Sequence, residues 1–252
     1  MYRNFGFSKW TFLGDYPQEN LLRDYVSDQE MYEYIIEQYE NRDVSNPWFL
    51  FGVTMQNHGG YDYIGNFQNK ITPFKYETAN QYLTVIAQSD QALSYLISYF
   101  SQVEEDVVIV MFGDHYPGLN DEFFNDISGG NFDSLEDQIK LYNVPFLIWA
   151  NYDIEEAYVE CTSLNYLSSY VYEAAGISLP PYNRFLKEVE AIIPAMNALG
   201  YYSAENNSFV PYEKANGTER DILKAYEMLQ YNSIFDSENR SDILFPATIL
   251  KE

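Results

Sequence analysis

The stretch that decides the fold is VVIVMFGDHYPG, at residues 107–118. Its first six residues are all apolar and mostly β-branched or aromatic, a composition typical of a strand that is covered on both faces. The run ends at Gly113 and continues directly into Asp114 and His115. The sequence therefore predicts a buried strand whose carboxyl end carries two side chains of a kind that bind metals.

Two similar apolar runs flank this strand in the sequence, WFLFGVTM at residues 48–55 and VPFLIWA at residues 144–150. Residues 76–102 keep their apolar side chains to one stripe at helical spacing. This alternation of strand and helix predicts an α/β fold in which helices flank a parallel-dominated sheet. The pattern weakens from residue 200 onward. We therefore assign residues 1–200 to the main domain and residues 201–252 to a helical carboxyl-terminal extension packed on it.

Other helices are predicted from their start signals and their spacing. Ser27 and Glu30 form the pattern of a capping box, in which each side chain accepts from the other residue's backbone at a helix start. Apolar residues at helical spacing also indicate helices at residues 163–176, 182–193 and 221–230. These helices are consistent with the proposed α/β class.

The composition excludes several classes of protein. The net charge of −24 would repel nucleic acid and anionic lipid, so neither is expected as a direct partner. The single cysteine, Cys161, excludes an internal disulfide framework and a cysteine-rich zinc site. The hydrophobic fraction of 46% indicates a chain that buries a core. The longest apolar runs are about eight residues, whereas a membrane span needs about 20.

A second candidate site follows the first apolar run, in the polar and glycine-rich turn QNHGGY at residues 56–61. The chain has two histidines, His58 in this turn and His115, and each directly follows a predicted strand. Ligands in open α/β sheets bind outside the carboxyl ends of the strands. We therefore expect His58, Asp114 and His115 to share one site.

The chemistry of this site has a metal interpretation and a purely structural one. A carboxylate and an imidazole together suit Mn²⁺ or Zn²⁺ better than Mg²⁺. His58 could bind an anionic oxygen of a substrate or supply one ligand of the same metal. Alternatively, Asp114 caps the following turn and His115 packs on Tyr116, with no metal involved.

Two motifs in the chain resemble those of a known family. Residues 54–61 follow the pattern T-x-x-N-H-x-x-Y, and residues 113–116 read G-D-H-Y. Both are similar to motifs of lipoteichoic-acid-synthase-like proteins, which are phosphoglycerol transferases of the sulfatase and alkaline phosphatase superfamily. The stretches at residues 1–10 and 24–28 are also similar to that family. The resemblance extends to about residue 200 and implies the carboxyl-terminal part of a sulfatase-like catalytic domain.

The resemblance also implies roles for individual residues. Asp114 and His115 would bind Mn²⁺ or another divalent cation, and His58 would hold the substrate phosphate. In such enzymes a threonine attacks the phosphorus, forms a covalent ester and passes the phosphoglycerol group to an acceptor hydroxyl. The implied substrate is a glycerophospholipid or a polyglycerolphosphate-type polymer. The implied location is the extracellular face of the bacterial cell membrane, reached through membrane segments upstream of this chain.

The chain departs from the family pattern at the nucleophile. The family's nucleophilic threonine and a metal-binding glutamate belong to sequence upstream of these motifs. The threonines in the first part of the chain, Thr11, Thr54, Thr72 and Thr78, do not stand at the corresponding place. We therefore expect the catalytic nucleophile to be absent from this chain, and the chain alone to be inactive.

Two other functions remain open from the sequence. One is a different hydrolase of the same superfamily, such as a phosphodiesterase or an arylsulfatase. Sulfatases usually carry Cys-x-Pro-x-Arg, whereas Cys161 is followed by Thr-Ser-Leu. The other is a non-catalytic module that binds glycans through its tyrosine-rich loops. The residue at the nucleophile position of the upstream sequence would distinguish the first alternative from the transferase. Carbohydrate binding that survives metal chelation would indicate the second.

Overall fold

The computed structural model describes residues 2–16, 21–65, 67–70, 75–130, 134–236 and 238–246. The chain divides into two compact units. The first consists of Met1–Glu104 and Pro117–Gly130, and the second of Glu105–Tyr116 and Asn131–Glu252. Thr72, one of the threonines considered above, lies outside the described residues.

The first unit is built on helices. These are α1 at Asp28–Glu40, α2 at Glu77–Phe100 and α3 at Asp121–Ser128, with short 3₁₀ turns at Tyr2–Phe5 and Leu13–Asp15. The first two helices begin close to the predicted positions, and α2 confirms the long helix expected at residues 76–102.

The predicted capping box is half confirmed. Ser27 Oγ accepts a hydrogen bond of 3.1 Å from the Glu30 backbone N–H at the start of α1. The Glu30 Oε2 atom, in contrast, is buried without a hydrogen-bond partner among the described residues. One bond therefore satisfies a free amide of the helix end, and the reciprocal bond does not form.

The core of the first unit lies between α1 and α2, which pack against each other. Ile36 of α1 is buried, as are Val85, Leu96 and Phe100 of α2. The ring of Tyr39 meets the Phe100 ring edge-to-face, with centroids 5.0 Å apart. These contacts follow from the apolar stripes that the sequence places on each helix.

The strand predicted at residues 48–55 does not form in the structure. This segment has no regular secondary structure and pairs with no strand among the described ranges. Phe49 is 75% exposed and Val53 is 52% exposed, and Trp48, Phe51 and Met55 are also exposed. The prediction was wrong because an apolar run indicates a strand only where a neighbouring strand supplies hydrogen bonds and cover.

The second unit contains two sheets, four α-helices and two short 3₁₀ turns in its described part. Strand β1 is Val108–Phe112 and β2 is Phe146–Ala150, and the two pair antiparallel from Val108 opposite Ala150 to Phe112 opposite Phe146. The expected parallel pairing of these runs is therefore wrong. Composition predicts that a run forms a strand but carries no information on the direction of its partner, and a connection of this length permits either.

The remaining elements of the second unit, apart from α4, contribute to one core or pack against it. They are α4 at Leu135–Lys140, α5 at Leu167–Ala174, α6 at Pro181–Ile192, β3 at Ala195–Met196, β4 at Tyr201–Ser203, β5 at Ser208–Val210 and α7 at Gly217–Ile234. Strands β3, β4 and β5 form an antiparallel sheet. The core consists of Tyr166, Leu186, Val189, Ile193, Tyr201, Ala215 and Tyr226.

The small sheet β3–β5 was not expected from the sequence, where the pattern weakens after residue 200. Its strands are only two or three residues long, too short to show a period. The proposed boundary between residues 1–200 and 201–252 stays a prediction. Among the ranges that the structure describes, no helix combines the length and the apolar character that crossing a bilayer requires.

We expect Leu186→Ala to lower the free energy of unfolding by about 2–5 kcal/mol, because it removes a buried side chain from the core and leaves a cavity. Chemical denaturation followed by circular dichroism measures the change. Leu147→Ala, at a position that is more than a third exposed, is the control and should cost much less. Equal losses for the two variants would contradict the assigned core.

We also expect the 252-residue chain to self-associate at micromolar concentration, because the exposed apolar segment at residues 48–55 favours burial against another surface. Light scattering after gel filtration at several concentrations measures the association. The double variant Phe51→Ser and Val53→Ser should shift the chain toward monomer. Tyr158→Ser, at an isolated residue that is 92% exposed, should not. A wild-type chain that stays monomeric throughout would contradict this expectation.

Candidate functional site

His58 lies in a loop of the first unit, Gln56–Tyr61, which we call the His58 loop. Its backbone is held by a turn in which the His58 N–H donates to Met55 O at 3.0 Å. The Tyr61 hydroxyl donates to Asn57 O at 2.7 Å. Gly60 has φ +91°, a backbone conformation that residues other than glycine rarely adopt. The imidazole of His58 itself is exposed, so the loop presents it to solvent.

Gln56 anchors this loop to both long helices of the unit. Its side chain is buried, and Oε1 accepts from the backbone N–H of Asp28 at the start of α1 at 3.0 Å. The Nε2 group donates to Val85 O and to Ser89 Oγ of α2, both at 3.0 Å. A buried amide that uses all these bonds fixes the loop, because breaking any of them leaves an unpaired polar group.

Asn57, which precedes the histidine in the motif, has a structural role in this geometry. Its Nδ2 donates to Ser89 Oγ of α2 at 2.8 Å. Its Oδ1 is buried without a hydrogen-bond partner among the described residues. The asparagine therefore binds the loop to the helix, while the neighbouring His58 remains accessible.

Arg23 and Tyr25 also contact the His58 loop, and sequence analysis missed both. Arg23 is buried, with 4% of its surface exposed. Its guanidinium donates to Gly60 O at 2.7 Å and makes longer hydrogen bonds to Gln56 O and His58 O, at 3.3 and 3.4 Å. The Tyr25 hydroxyl lies 3.2 Å from His58 Nδ1. In the local sequence LLRDY only Asp24 is a residue type common in turns, and it does not indicate which loop the turn contacts.

The second candidate centre, Asp114 and His115, directly follows β1 in the second unit. The strand ladder continues one residue past β1, because the Gly113 N–H donates to Pro145 O at 2.9 Å. A Cβ atom added to Gly113 would lie 3.0 Å from Cβ of Val144. The glycine thus allows its own segment and the segment at Val144 to approach closely where the site begins.

The side chains of Asp114 and His115 face each other. His115 Nε2 lies 3.7 Å from Asp114 Oδ1, and the two side chains are 65% and 78% exposed. His115 Nδ1 lies 2.9 Å from the backbone oxygen of Tyr116. A carbonyl oxygen can only accept, so Nδ1 carries the proton and Nε2 is free to coordinate when the ring is neutral.

This pair fits half of a metal site. Two donors of a tetrahedral ion at about 2.1 Å are separated by about 3.4 Å, close to the observed distance. The Nδ1–H bond to a backbone oxygen is the arrangement that orients metal-binding histidines. Within the described ranges, no group of three or more His, Cys, Asp or Glu side chains could hold a metal. A tight site would therefore need further ligands.

The three predicted site residues are thus divided between the two units. His58 belongs to the first unit, whereas Asp114 and His115 belong to the second. The structure brings Asp114 and His115 together. The convergence of His58 with that pair on one pocket stays a prediction.

Comparison with known proteins gives a family match. A family model described as Sulfatase matches residues 1–177. A protein of Rhizobium meliloti (strain 1021), provisionally assigned to cyclic β-1,2-glucan modification, is 28% identical over 203 residues, which cover 75% of this chain and 31% of that protein. The capsular polysaccharide biosynthesis protein RkpI of the same organism is 30% identical over 119 residues, which cover 45% of this chain and 20% of RkpI.

One solved structure is similar in fold. It is the Streptococcus pyogenes phosphoglycerol transferase GacH in complex with sn-glycerol-1-phosphate, with a TM-score of 0.62 and 19% sequence identity. The alignment covers 92% of this chain and 56% of the GacH chain. At this identity the likeness concerns the fold. The chain spans less than a third of the length of either rhizobial relative and just over half of GacH.

The burial of Asp28 next to the His58 loop predicts that the free energy of unfolding depends on pH. Burial raises the pKa of its carboxyl, and hydrogen bonds from Ser89 and from the Gln56 backbone offset only part of this effect. The folded state therefore binds the proton more tightly than the unfolded state. The corresponding stability is present at low pH and is lost as pH rises through the raised pKa.

We expect Asp28→Asn to melt at a higher temperature than the wild type at pH 7, with a difference that shrinks as pH falls toward 4. Thermal melts across this range measure it. Asp121→Asn is the matched control, because Asp121 is also the first residue of a helix but is exposed. That control should be neutral or slightly destabilising at pH 7. A pH-independent difference for Asp28→Asn would contradict the prediction.

Proposed function

The chain belongs to the sulfatase family, and from that premise we propose that it forms part of a metal-dependent phosphoglycerol (phosphodiester) transferase. Membership in the family agrees with the sulfatase-like α/β fold expected from the motifs. The observation that carries the proposal is the geometry of Asp114 and His115, whose Oδ1 and Nε2 atoms face each other at 3.7 Å. The likeness in fold to a phosphoglycerol transferase supports it.

In this proposal Asp114 and His115 provide two ligands of Mn²⁺ or another divalent cation, because a carboxylate suits Mn²⁺ and an imidazole suits Zn²⁺. Such an ion, when bound, lowers the pKa of a nucleophilic hydroxyl and stabilises negative charge on phosphoryl oxygens. The backbone oxygen of Tyr116 keeps the proton on His115 Nδ1 and so leaves Nε2 available. The remaining ligands would come from sequence outside the described pair.

His58 is proposed to hold the substrate phosphate. Its imidazole is exposed on a loop whose backbone is anchored at several points, so little conformational freedom is lost when an anion binds. An N–H group of the ring can donate to an anionic oxygen. A glycerophosphate-type substrate is supported by the sn-glycerol-1-phosphate bound in the structure of GacH.

The nucleophile is proposed to be a threonine upstream of this chain, so the chain alone would be inactive. Of the threonines considered, Thr11 shares a 2.7 Å hydrogen bond with the Tyr34 hydroxyl, and Thr78 lies in the first turn of α2. Thr54 precedes the His58 loop and is half-buried. In this proposal none of these threonines is the nucleophile.

The proposed substrates are a glycerophospholipid or polyglycerolphosphate-type donor and a polymer of the cell envelope. The names of the two rhizobial relatives concern a cyclic glucan and a capsular polysaccharide, which supports an envelope carbohydrate as acceptor. We accordingly propose the extracellular face of the bacterial cell membrane as the location of the whole protein.

A hydrolase of the same family is the second candidate. The Sulfatase model matches the chain over residues 1–177 without distinguishing transfer from hydrolysis. The same metal pair and phosphate contact would serve a phosphodiesterase, with water in place of the acceptor hydroxyl. Product analysis of the whole enzyme with and without a carbohydrate acceptor separates the two.

We expect the 252-residue chain to bind Mn²⁺ weakly and to show no turnover of a phosphodiester substrate. Asp114→Asn should weaken Mn²⁺ binding at least about tenfold, because it removes one of two ligands. Isothermal titration calorimetry with the metal alone measures the affinity. Asp106→Asn, at an exposed aspartate that precedes β1, should leave the Mn²⁺ affinity unchanged. Identical affinities for Asp114→Asn and wild type would contradict the assignment.

A further inference from the structure

The turn Leu22–Tyr25, which we call the Arg23 turn, is strained. Leu22 and Tyr25 close it by exchanging two backbone hydrogen bonds of 2.7 and 3.0 Å. The two residues between them, Arg23 and Asp24, have φ +52° and +69°. Such a turn normally uses glycine, asparagine or aspartate, so Asp24 fits it, whereas an arginine holds a positive φ only where surrounding contacts enforce it. The contacts made by the turn therefore hold Arg23 in this conformation.

The first of these contacts fixes the backbone of the His58 loop. The Arg23 guanidinium donates to three carbonyl oxygens that lie at alternate positions of the loop, on Gln56, His58 and Gly60. The bond to Gly60 is the shortest, at 2.7 Å. The Arg23 guanidinium also lies over the ring of Tyr61, with 5.2 Å between its central carbon and the ring centroid. A planar fork of donors can join several carbonyl groups at once, which an ammonium group cannot do.

The second contact reaches the imidazole. The Tyr25 hydroxyl lies 3.2 Å from His58 Nδ1, and the two rings are 5.8 Å apart between centroids. A phenol O–H is a stronger donor than its oxygen is an acceptor, and the bare nitrogen of a neutral imidazole is a good acceptor. The stronger arrangement of this pair therefore has Tyr25 donating to Nδ1.

We propose that the Arg23 turn is the positioning device of His58, with Arg23 fixing the loop and Tyr25 selecting the tautomer of the imidazole. With Nδ1 accepting from Tyr25, the proton of the neutral ring is on Nε2. This nitrogen then donates to an anionic oxygen and has no lone pair for a metal. The inference rests on the proposed function for the role of the bound anion, and it assigns His58 to the phosphate and not to the metal.

The tautomer can be measured directly because the chain has only two histidines. Long-range ¹H–¹⁵N correlation spectra of the ¹⁵N-histidine-labelled chain at pH 8 report which ring nitrogen carries the proton. His115→Asn assigns the remaining signal to His58. In the wild type we expect a single tautomer with the proton on Nε2. In Tyr25→Phe we expect a mixture of tautomers, and Tyr158→Phe, which removes the same hydroxyl from an exposed residue, should not change the spectrum.

Arg23 is tested by Arg23→Lys, which keeps the charge but loses the fork of donors. We expect His58 signals that are broadened or shifted toward a mixture, in a chain whose circular dichroism spectrum is unchanged. The same spectra, titrated with inorganic phosphate, should show binding at His58 that is about twofold weaker in Tyr25→Phe for an even mixture of tautomers, because only rings with the proton on Nε2 can donate to the anion. A proton on Nδ1 in the wild type, or a tautomer unchanged in both variants, would overturn the proposal.

The phosphate titration separates this inference from the proposed function. If phosphate leaves the His58 signals unmoved while Tyr25→Phe changes the tautomer, the positioning role stands and the phosphate role of His58 is wrong. If phosphate moves the signals but the tautomer is the same in wild type and variants, the phosphate role stands and the positioning role is wrong.

Discussion

The first unit depends on one buried amide, the side chain of Gln56. It joins the amino-terminal end of α1 to the middle of α2 and at the same time starts the loop that presents His58. Because each of its polar atoms is paired inside the protein, the side chain cannot turn outward without losing several hydrogen bonds. The position of an exposed imidazole therefore depends in part on a side chain that is itself buried.

The second unit uses a different means to the same end. There the strand ladder itself fixes Asp114 and His115, because Gly113 still pairs with Pro145 one residue beyond β1. The carbonyl of Tyr116 then orients the imidazole. One candidate centre is thus supported by buried side chains and the other by backbone pairing.

Sequence analysis predicted the elements that are long and periodic and missed those fixed by partners distant in the sequence. The helices α2 and α6 follow from apolar residues at helical spacing, and Ser27 marks the start of α1. The apolar run at residues 48–55 has the composition of a strand, but no described strand pairs with it. For β1 and β2 the existence of the strands was predictable and their relative direction was not, since pairing direction depends on the path of the chain between them.

The same distinction applies to the candidate sites. His58, Asp114 and His115 could be found because the chain has only two histidines and each of them follows an apolar run. Arg23 and Tyr25 could not, because their role comes from a turn of unusual backbone conformation in the unremarkable sequence LLRDY. The signal for these residues lies in the backbone angles, which the sequence of a single chain does not contain.

The close approach at Gly113 links this glycine to the spacing of two segments of the chain. An alanine at position 113 would place its Cβ atom 3.0 Å from Cβ of Val144 on the neighbouring segment. Shortening Val144 to alanine would not relieve this contact, because the Cβ atom of residue 144 would remain. The neighbouring segment would instead have to move by a few tenths of an ångström, next to the backbone that leads into Asp114. Glycine at position 113 is therefore expected to persist wherever the spacing of these two segments is kept.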